Sequence, residues 1–163
     1  MWLGLRSRHV VGSNNNRPTT AAPEIGNEGE WRARNEANVA WLERTFDPAE
    51  SSGSAAVMLM IQANIFEEDT QTPSGFAKFR DALRRETIAF GKPIVLVHGD
   101  SHYFRIDKPL CAQEGEESSR LMNFTKVETF GNADVHWVRA SVDTRNPEVF
   151  SFQPEIVEEN VTP

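Results

Sequence analysis

Apolar positions recur along this chain with two different periods, and the change of period divides it into elements. From Glu28 to about Phe46, Trp31, Asn35, Asn38 or Val39, Leu42 and Phe46 fall at spacings of three and four, which predicts an amphipathic helix. Glu28 and Glu30 favour its start through the helix dipole, and Asp47-Pro48 predicts its end. Two asparagines on that stripe either cap or bridge neighbouring backbone or stand near a site. After Ser51-Ser52-Gly53-Ser54, the run Ala55 to Ala63 is continuously apolar, as in a strand buried on both faces of a sheet. An acidic loop, Asn64 to Gln71, leads to Thr72 as N-cap and Pro73 at the first position of a second helix. That helix places Phe76, Phe79, Leu83 and Phe90 on one side and Arg80, Arg84 and Arg85 mostly outward, and Gly91 with Pro93 stops it.

Pro93 to His98 reads as a second buried strand, so strand, helix and strand predict a βαβ crossover with two parallel strands. Beyond Tyr103 the pattern changes to short strands at Tyr103–Ile106, Asn123–Phe130, Val135–Val142 and Val149–Phe152 with no helix between them. The stretch from Ala112 to Arg120 reads as loop, and Gly131-Asn132-Ala133-Asp134 as a hairpin turn. A further short strand is expected at His9-Val10-Val11, running into the turn Gly12 to Asn16. The expected class is therefore mixed α/β, one parallel βαβ unit followed by an antiparallel meander.

Size and charge narrow the function. The 163 residues make one domain, with residues 1–8 and 158–163 expected as flexible ends. A formal net charge of −7, with no basic run interleaved with aromatics, argues against a nucleic-acid partner. The longest apolar run, Ala55 to Ile61, is far shorter than the roughly 20 residues of a membrane span, so no membrane partner is expected. Cys111 is the single cysteine, so there is no intrachain disulfide, and with no His partner in view a nucleophilic thiol is not expected. The first twenty-odd residues carry Arg6, Arg8 and Arg17 among Ser and Thr without acidic groups, a targeting-like composition, but cytoplasm is the default expectation.

Chemistry is expected beyond the carboxyl ends of the parallel strands, where loops converge. One such loop holds Gln62-Ala63-Asn64, the other His98-Gly99-Asp100-Ser101-His102. A carboxylate and an imidazole two residues apart, after a glycine that lets the backbone turn, can point at one ion, and the mixed O and N donors suit Mn, Fe or Zn better than Ca. The alternative is a polar turn whose histidine packs locally. His98 and His136 read as buried or core imidazoles, while His9 is undetermined. No Gly-x-Ser-x-Gly elbow or phosphate-binding Gly-Lys-Ser/Thr loop supports a serine hydrolase or an NTPase.

The string Lys92-Pro93-Ile94-Val95-Leu96-Val97-His98-Gly99-Asp100-Ser101-His102 resembles the final metal-binding block of calcineurin-like metallophosphoesterases, where a buried strand runs into Gly-His-x-His. Val57-Met58-Leu59-Met60-Ile61-Gln62 resembles the preceding block, and Arg34 to Leu42 and Val10 to Asn15 extend the similarity over residues 9 to 157. The resemblance implies an αββα sandwich in which two divalent metals hold a phosphate ester and supply the attacking hydroxide. It places His102 as a ligand of the first metal, Asp100 as a ligand of the second, and Gln62 where the preceding block has its histidine. Gln62 and Asp100 replace imidazoles, which weakens the second metal. Asp100-Ser101-His102 also matches the opening Asp-x-His of such a domain, and Gly131-Asn132-Ala133-Asp134 faintly matches a Gly-Asn-His-Asp, but no Gly-Asp-x-x-Asp lies between them. The first three blocks would stand before residue 9 and are not found, so the resemblance is to the C-terminal half of such an enzyme. Two functions are expected. One is a metal-dependent phosphoesterase, weak or inactive alone. The other is a non-catalytic scaffold, or truncated gene product, that keeps the fold and self-associates through exposed sheet edges.

Overall fold

A computed structural model describes residues 5–7, 28–66, 75–113, 119–132 and 135–161 of the chain. The elements in order are β1 (Leu5–Ser7), α1 (Glu28–Ser51), β2 (Val57–Met60), α2 (Ala77–Phe90), β3 (Ile94–His98), β4 (Arg105–Asp107), β5 (Phe124–Glu128), β6 (Trp137–Val142) and β7 (Phe150–Glu155), followed by one 3₁₀ turn at Glu158–Asn160. The architecture is mixed α/β: a five-stranded sheet in the order β1-β2-β3-β5-β4 and a separate two-stranded sheet, β6-β7. Strands β1, β2, β3 and β5 are parallel, and β4 runs antiparallel to β5 at the edge.

The helices form where the apolar period is three to four. On α1, Trp31, Asn35, Asn38, Leu42, Thr45 and Phe46 are buried, the stripe the spacing predicts with Asn38 rather than Val39 at its centre. The predicted stop at Asp47-Pro48 is overturned, because α1 carries Pro48 inside it and continues to Ser51. A proline lacks its own N–H and crowds the carbonyl four residues back, but it does not block the turn that follows it. The amides of Ser52 and Ser54 still close onto the carbonyls of Pro48 and Ala49, at 3.1 and 2.8 Å, on either side of Gly53, which turns left-handed at φ 63°. On α2, Phe79, Leu83 and Phe90 are buried, as is Phe76 just before it, and Gly91 caps the C-terminus at φ 64°. The expected start at Thr72-Pro73 lies outside the described residues, and the helix itself begins at Ala77.

Alternation along the strands gives the sheet two apolar faces. Val57, Leu59, Ile94, Leu96 and Phe124 point to the helix side, where they form one core with Leu42, Phe46, Phe79 and Leu83. The Phe46 and Phe90 rings meet edge to face at 5.7 Å and join the two helices. Met58, Val95 and Val127 point the other way and meet Val149 and Phe150 at the β6-β7 end of the chain. The layers are therefore helices, mixed sheet and small antiparallel sheet.

The βαβ expectation holds: β2 and β3 flank α2 and pair in parallel, Leu59 against Leu96. The simple meander after it does not. Strand β5 inserts beside β3 in parallel register, Val97 against Val127, and pushes β4 to the edge. Its Phe124, Lys126, Val127 and Glu128 are buried on both faces, as an inner parallel strand must be, whereas Arg105 and Ile106 of β4 are exposed. The hairpin expected at Gly131–Asp134 is also overturned, since β5 and β6 belong to different sheets. Residues 133 and 134 and the strand expected at His9–Val11 lie outside the described residues. Within the expected loose N-terminal end, Leu5–Ser7 forms β1 beside β2.

Candidate functional site

Among the described residues, three loops leave the carboxyl edge of the parallel strands: Ile61–Phe66 after β2, Gly99–Phe104 after β3 and Thr129–Asn132 after β5. The β3 loop is the one with unusual backbone. Asp100 (φ 88°) and His102 (φ 69°) are both left-handed, a conformation that L side chains adopt rarely and that costs about 1–2 kcal/mol per residue. The tight turn expected of Gly99 therefore falls instead on the residues that follow it. A methyl group at Gly99 would meet only the Gln62 carbonyl and the Thr129 hydroxyl, both at 3.9 Å, an ordinary contact.

Side-chain hydrogen bonds hold this conformation. Asp100 Oδ2 accepts the Asn64 backbone N–H at 3.1 Å, and Asn64 Nδ2 donates to Ser101 Oγ at 3.1 Å. The Ser101 backbone N–H donates to Glu128 Oε1 at 3.1 Å, which ties the loop to β5. Asn64 Oδ1 accepts the Phe66 N–H at 3.2 Å, so one asparagine side chain organises both loops. Asn64, Asp100, Ser101 and Glu128 make a clasp across the ends of β2, β3 and β5.

The expected metal ligands fall around this clasp. Asp100 is turned toward the β2 loop and is half-buried. His102 is turned the other way, its exposed imidazole lying against Gly131 so closely that any Cβ there would overlap the ring. Gln62 is exposed, and its carbonyl accepts the Gly99 N–H at 3.2 Å. Among the described residues, no three of His, Cys, Asp and Glu come together as a metal centre would need. One Asp100 oxygen is engaged by an amide, and the imidazole is turned to a different strand end. As they stand, these residues do not make up the donor set of a two-metal centre.

His98 is buried, as its strand position predicts, with 1% of its surface exposed. Nδ1 lies 2.6 Å from the Gly99 carbonyl, which assigns the proton to Nδ1, while Nε2 is buried with no partner. Burial pushes its pKa below the usual imidazole value, against the opposing hydrogen bond to Gly99 and the charge of Glu128. The folded chain thus resists a proton that the unfolded chain accepts. Stability is expected to be full above about pH 6.5 and to fall as the pH drops below it, by up to about 1.4 kcal/mol per pH unit, until the depressed pKa is reached. Urea unfolding at a series of pH values checks this. The slope should flatten in His98→Gln, and an unchanged slope would contradict the assignment.

The remaining candidates are structural. His136 precedes β6 rather than lying within it, and β6 is largely exposed, so the core role expected for it is replaced by local packing. It meets the Phe130 ring edge-on at 5.0 Å, and its Nδ1 accepts the Val157 N–H at 3.3 Å. Cys111 is a half-buried free thiol whose carbonyl accepts Arg84 Nε at 2.9 Å. His9 lies outside the described residues. Asn35 Oδ1 and Asn38 Nδ2 are buried without a hydrogen-bond partner, so the bridging reading of these asparagines finds no bond at those atoms.

The sequence places Asn64 and Ser101 in the candidate loops without marking their bonding, and it does not single out Lys126 and Glu128. A signal did exist: in Phe124-Thr125-Lys126-Val127-Glu128, two charges fall on the same face as Phe124 and flank Val127, and both are buried. A charge at an inner strand position needs a partner or a ligand. No helix among the described residues is long and apolar enough to cross a membrane. Comparison with family models, with curated proteins and with solved structures gives no match.

Proposed function

We propose that this chain is a metallophosphoesterase-like domain that works as a non-catalytic binding or scaffold protein, keeping the fold while its carboxyl edge serves to lock loops together. The observation that carries this reading is the engagement of Asp100. The carboxylate that the resemblance assigns to a metal accepts the Asn64 amide instead, inside a clasp that reaches Glu128. A carboxylate spent on a backbone amide is a poorer ligand, because binding a cation must compete with a charge-assisted hydrogen bond.

A second reading is metal-dependent hydrolysis of a phosphate ester, with His102, Asp100 and Gln62 as ligands of Mn, Fe or Zn. The left-handed backbone at Asp100 and His102 favours it, since strained residues cluster at sites of function.

The test is hydrolysis of p-nitrophenyl phosphate by the full chain with Mn²⁺ in excess, measured beside His102→Ala. The expected result is no turnover above buffer for either protein. Metal-dependent turnover that His102→Ala abolishes would overturn the proposal in favour of the second reading.

A further inference from the structure

A cavity of about 620 Å³ opens on the helix side of the sheet at the carboxyl end of β5, lined among others by Phe66, Tyr103, Arg105, Asp107, Lys126 and Glu128. Its floor carries two buried charges of opposite sign. The Lys126 side chain is 5% exposed, and its ammonium lies 3.6 Å from Asp107 Oδ2, beyond hydrogen-bond distance. That same oxygen is held by Arg105 Nε at 2.9 Å. Two cations thus share one oxygen of this carboxylate, two formal positive charges against one negative, while its other oxygen, Oδ1, is buried without a hydrogen-bond partner. The only other neighbour described for the ammonium is the Phe66 ring, 5.8 Å away at its centroid.

Two residues along the same face of β5, Glu128 is buried to a similar degree. Its Oε1 accepts the Ser101 N–H, and no cation among the described residues lies within 4.0 Å of it. A buried ammonium short of acceptors and a buried carboxylate short of a cation each carry a desolvation penalty that a complementary ligand removes. Strand geometry sets the two positions about 6–7 Å apart.

We propose that this cavity binds a small zwitterion with separated charges, an ω-amino carboxylate, whose carboxylate meets Lys126 and Arg105 and whose ammonium meets Glu128. Phe66 and the exposed ring of Tyr103 flank the intervening methylenes. This site borders the clasp, sharing Glu128 with it and having Asn64 and Ser101 in its lining, but it uses none of Asp100, His102 and Gln62 and needs no metal.

The experiment is a heteronuclear NMR titration of the full chain with three probes: γ-aminobutyrate, butyrate and butylamine. γ-Aminobutyrate is expected to shift the amides of Ser101, Lys126 and Glu128 saturably and to bind about tenfold or more tighter than either single-charge probe. Lys126→Met and Glu128→Gln should each cost about tenfold or more in that affinity. Butyrate binding as tightly as γ-aminobutyrate would overturn the two-point site in favour of a simple anion site. Shifts that never saturate, or that fall elsewhere, would overturn it altogether. The comparison of the three probes on the unmodified chain decides the matter even where a variant fails to fold.

Discussion

Leu96→Ala is expected to destabilise the chain by about 2–5 kcal/mol, out of a total of about 5–15 kcal/mol for a domain of this kind. Leu96 lies on the central strand β3, fully buried, between Leu59 of β2 and Lys126 of β5 in register. Its side chain belongs to the core that the two helices share with the sheet. Truncation removes apolar burial and leaves a cavity that rigid neighbours on both adjacent strands cannot fill. Ile88→Ala, on the exposed side of α2, is the control and should stay within about 0.5 kcal/mol of the parent. Urea unfolding of the two variants measures the contrast, and equal losses would mean that the β3 core is not where the stability resides.

The parts of the fold that were legible in the sequence are those fixed by local period. Phe79, Leu83 and Phe90 define their helix face from spacing alone, and the apolar runs Ala55–Ala63 and Pro93–His98 locate two strands by composition, although β2 itself spans only Val57–Met60 and Met60 is exposed. Strand order is a different kind of information. Nothing within residues 124–128 says that β5 slips between β3 and β4, because that depends on which edge has an open row of hydrogen-bonding groups when the chain arrives. The expectation of a meander followed from pairing consecutive strands, which holds often but not here. Pro48 misled for a local reason: the turn beyond it still closes through the amides of Ser52 and Ser54, and Ala49 packs against the core although Asp47, Pro48, Glu50 and Ser51 are exposed.

The loop after β3 was recognised as the candidate site, but its internal wiring was not. The partners of Asp100 and Ser101 are Asn64 and Glu128, 36 and 27 residues away, and only the assembled sheet brings them together. The pair Asp100 and His102 reads in sequence as two ligands on one point. In the fold, left-handed backbone at both residues sends one to the β2 loop and the other to Gly131.

The second large effect is therefore expected at Asp100. Asp100→Ala removes the acceptor for the Asn64 amide and places an alanine in left-handed backbone, and it should cost about 2–4 kcal/mol. Asp100→Gly loses the same acceptor but is free of the backbone strain, so it should recover about half of that loss. Asp100→Asn keeps an acceptor oxygen and tolerates the left-handed conformation, so it should remain within about 1 kcal/mol of the parent. A residue whose purpose is to hold a metal would give another pattern: in the protein free of metal only the backbone effect would remain, so Asp100→Gly would equal or exceed the parent instead of falling below Asp100→Asn.

Equilibrium unfolding in urea of these three variants beside the parent, without added metal, puts the clasp to its most direct test. The role argued for Asp100 requires the order parent, Asn, Gly, Ala in falling stability. Asp100→Gly as stable as the parent, or more so, would show that this carboxylate fastens nothing.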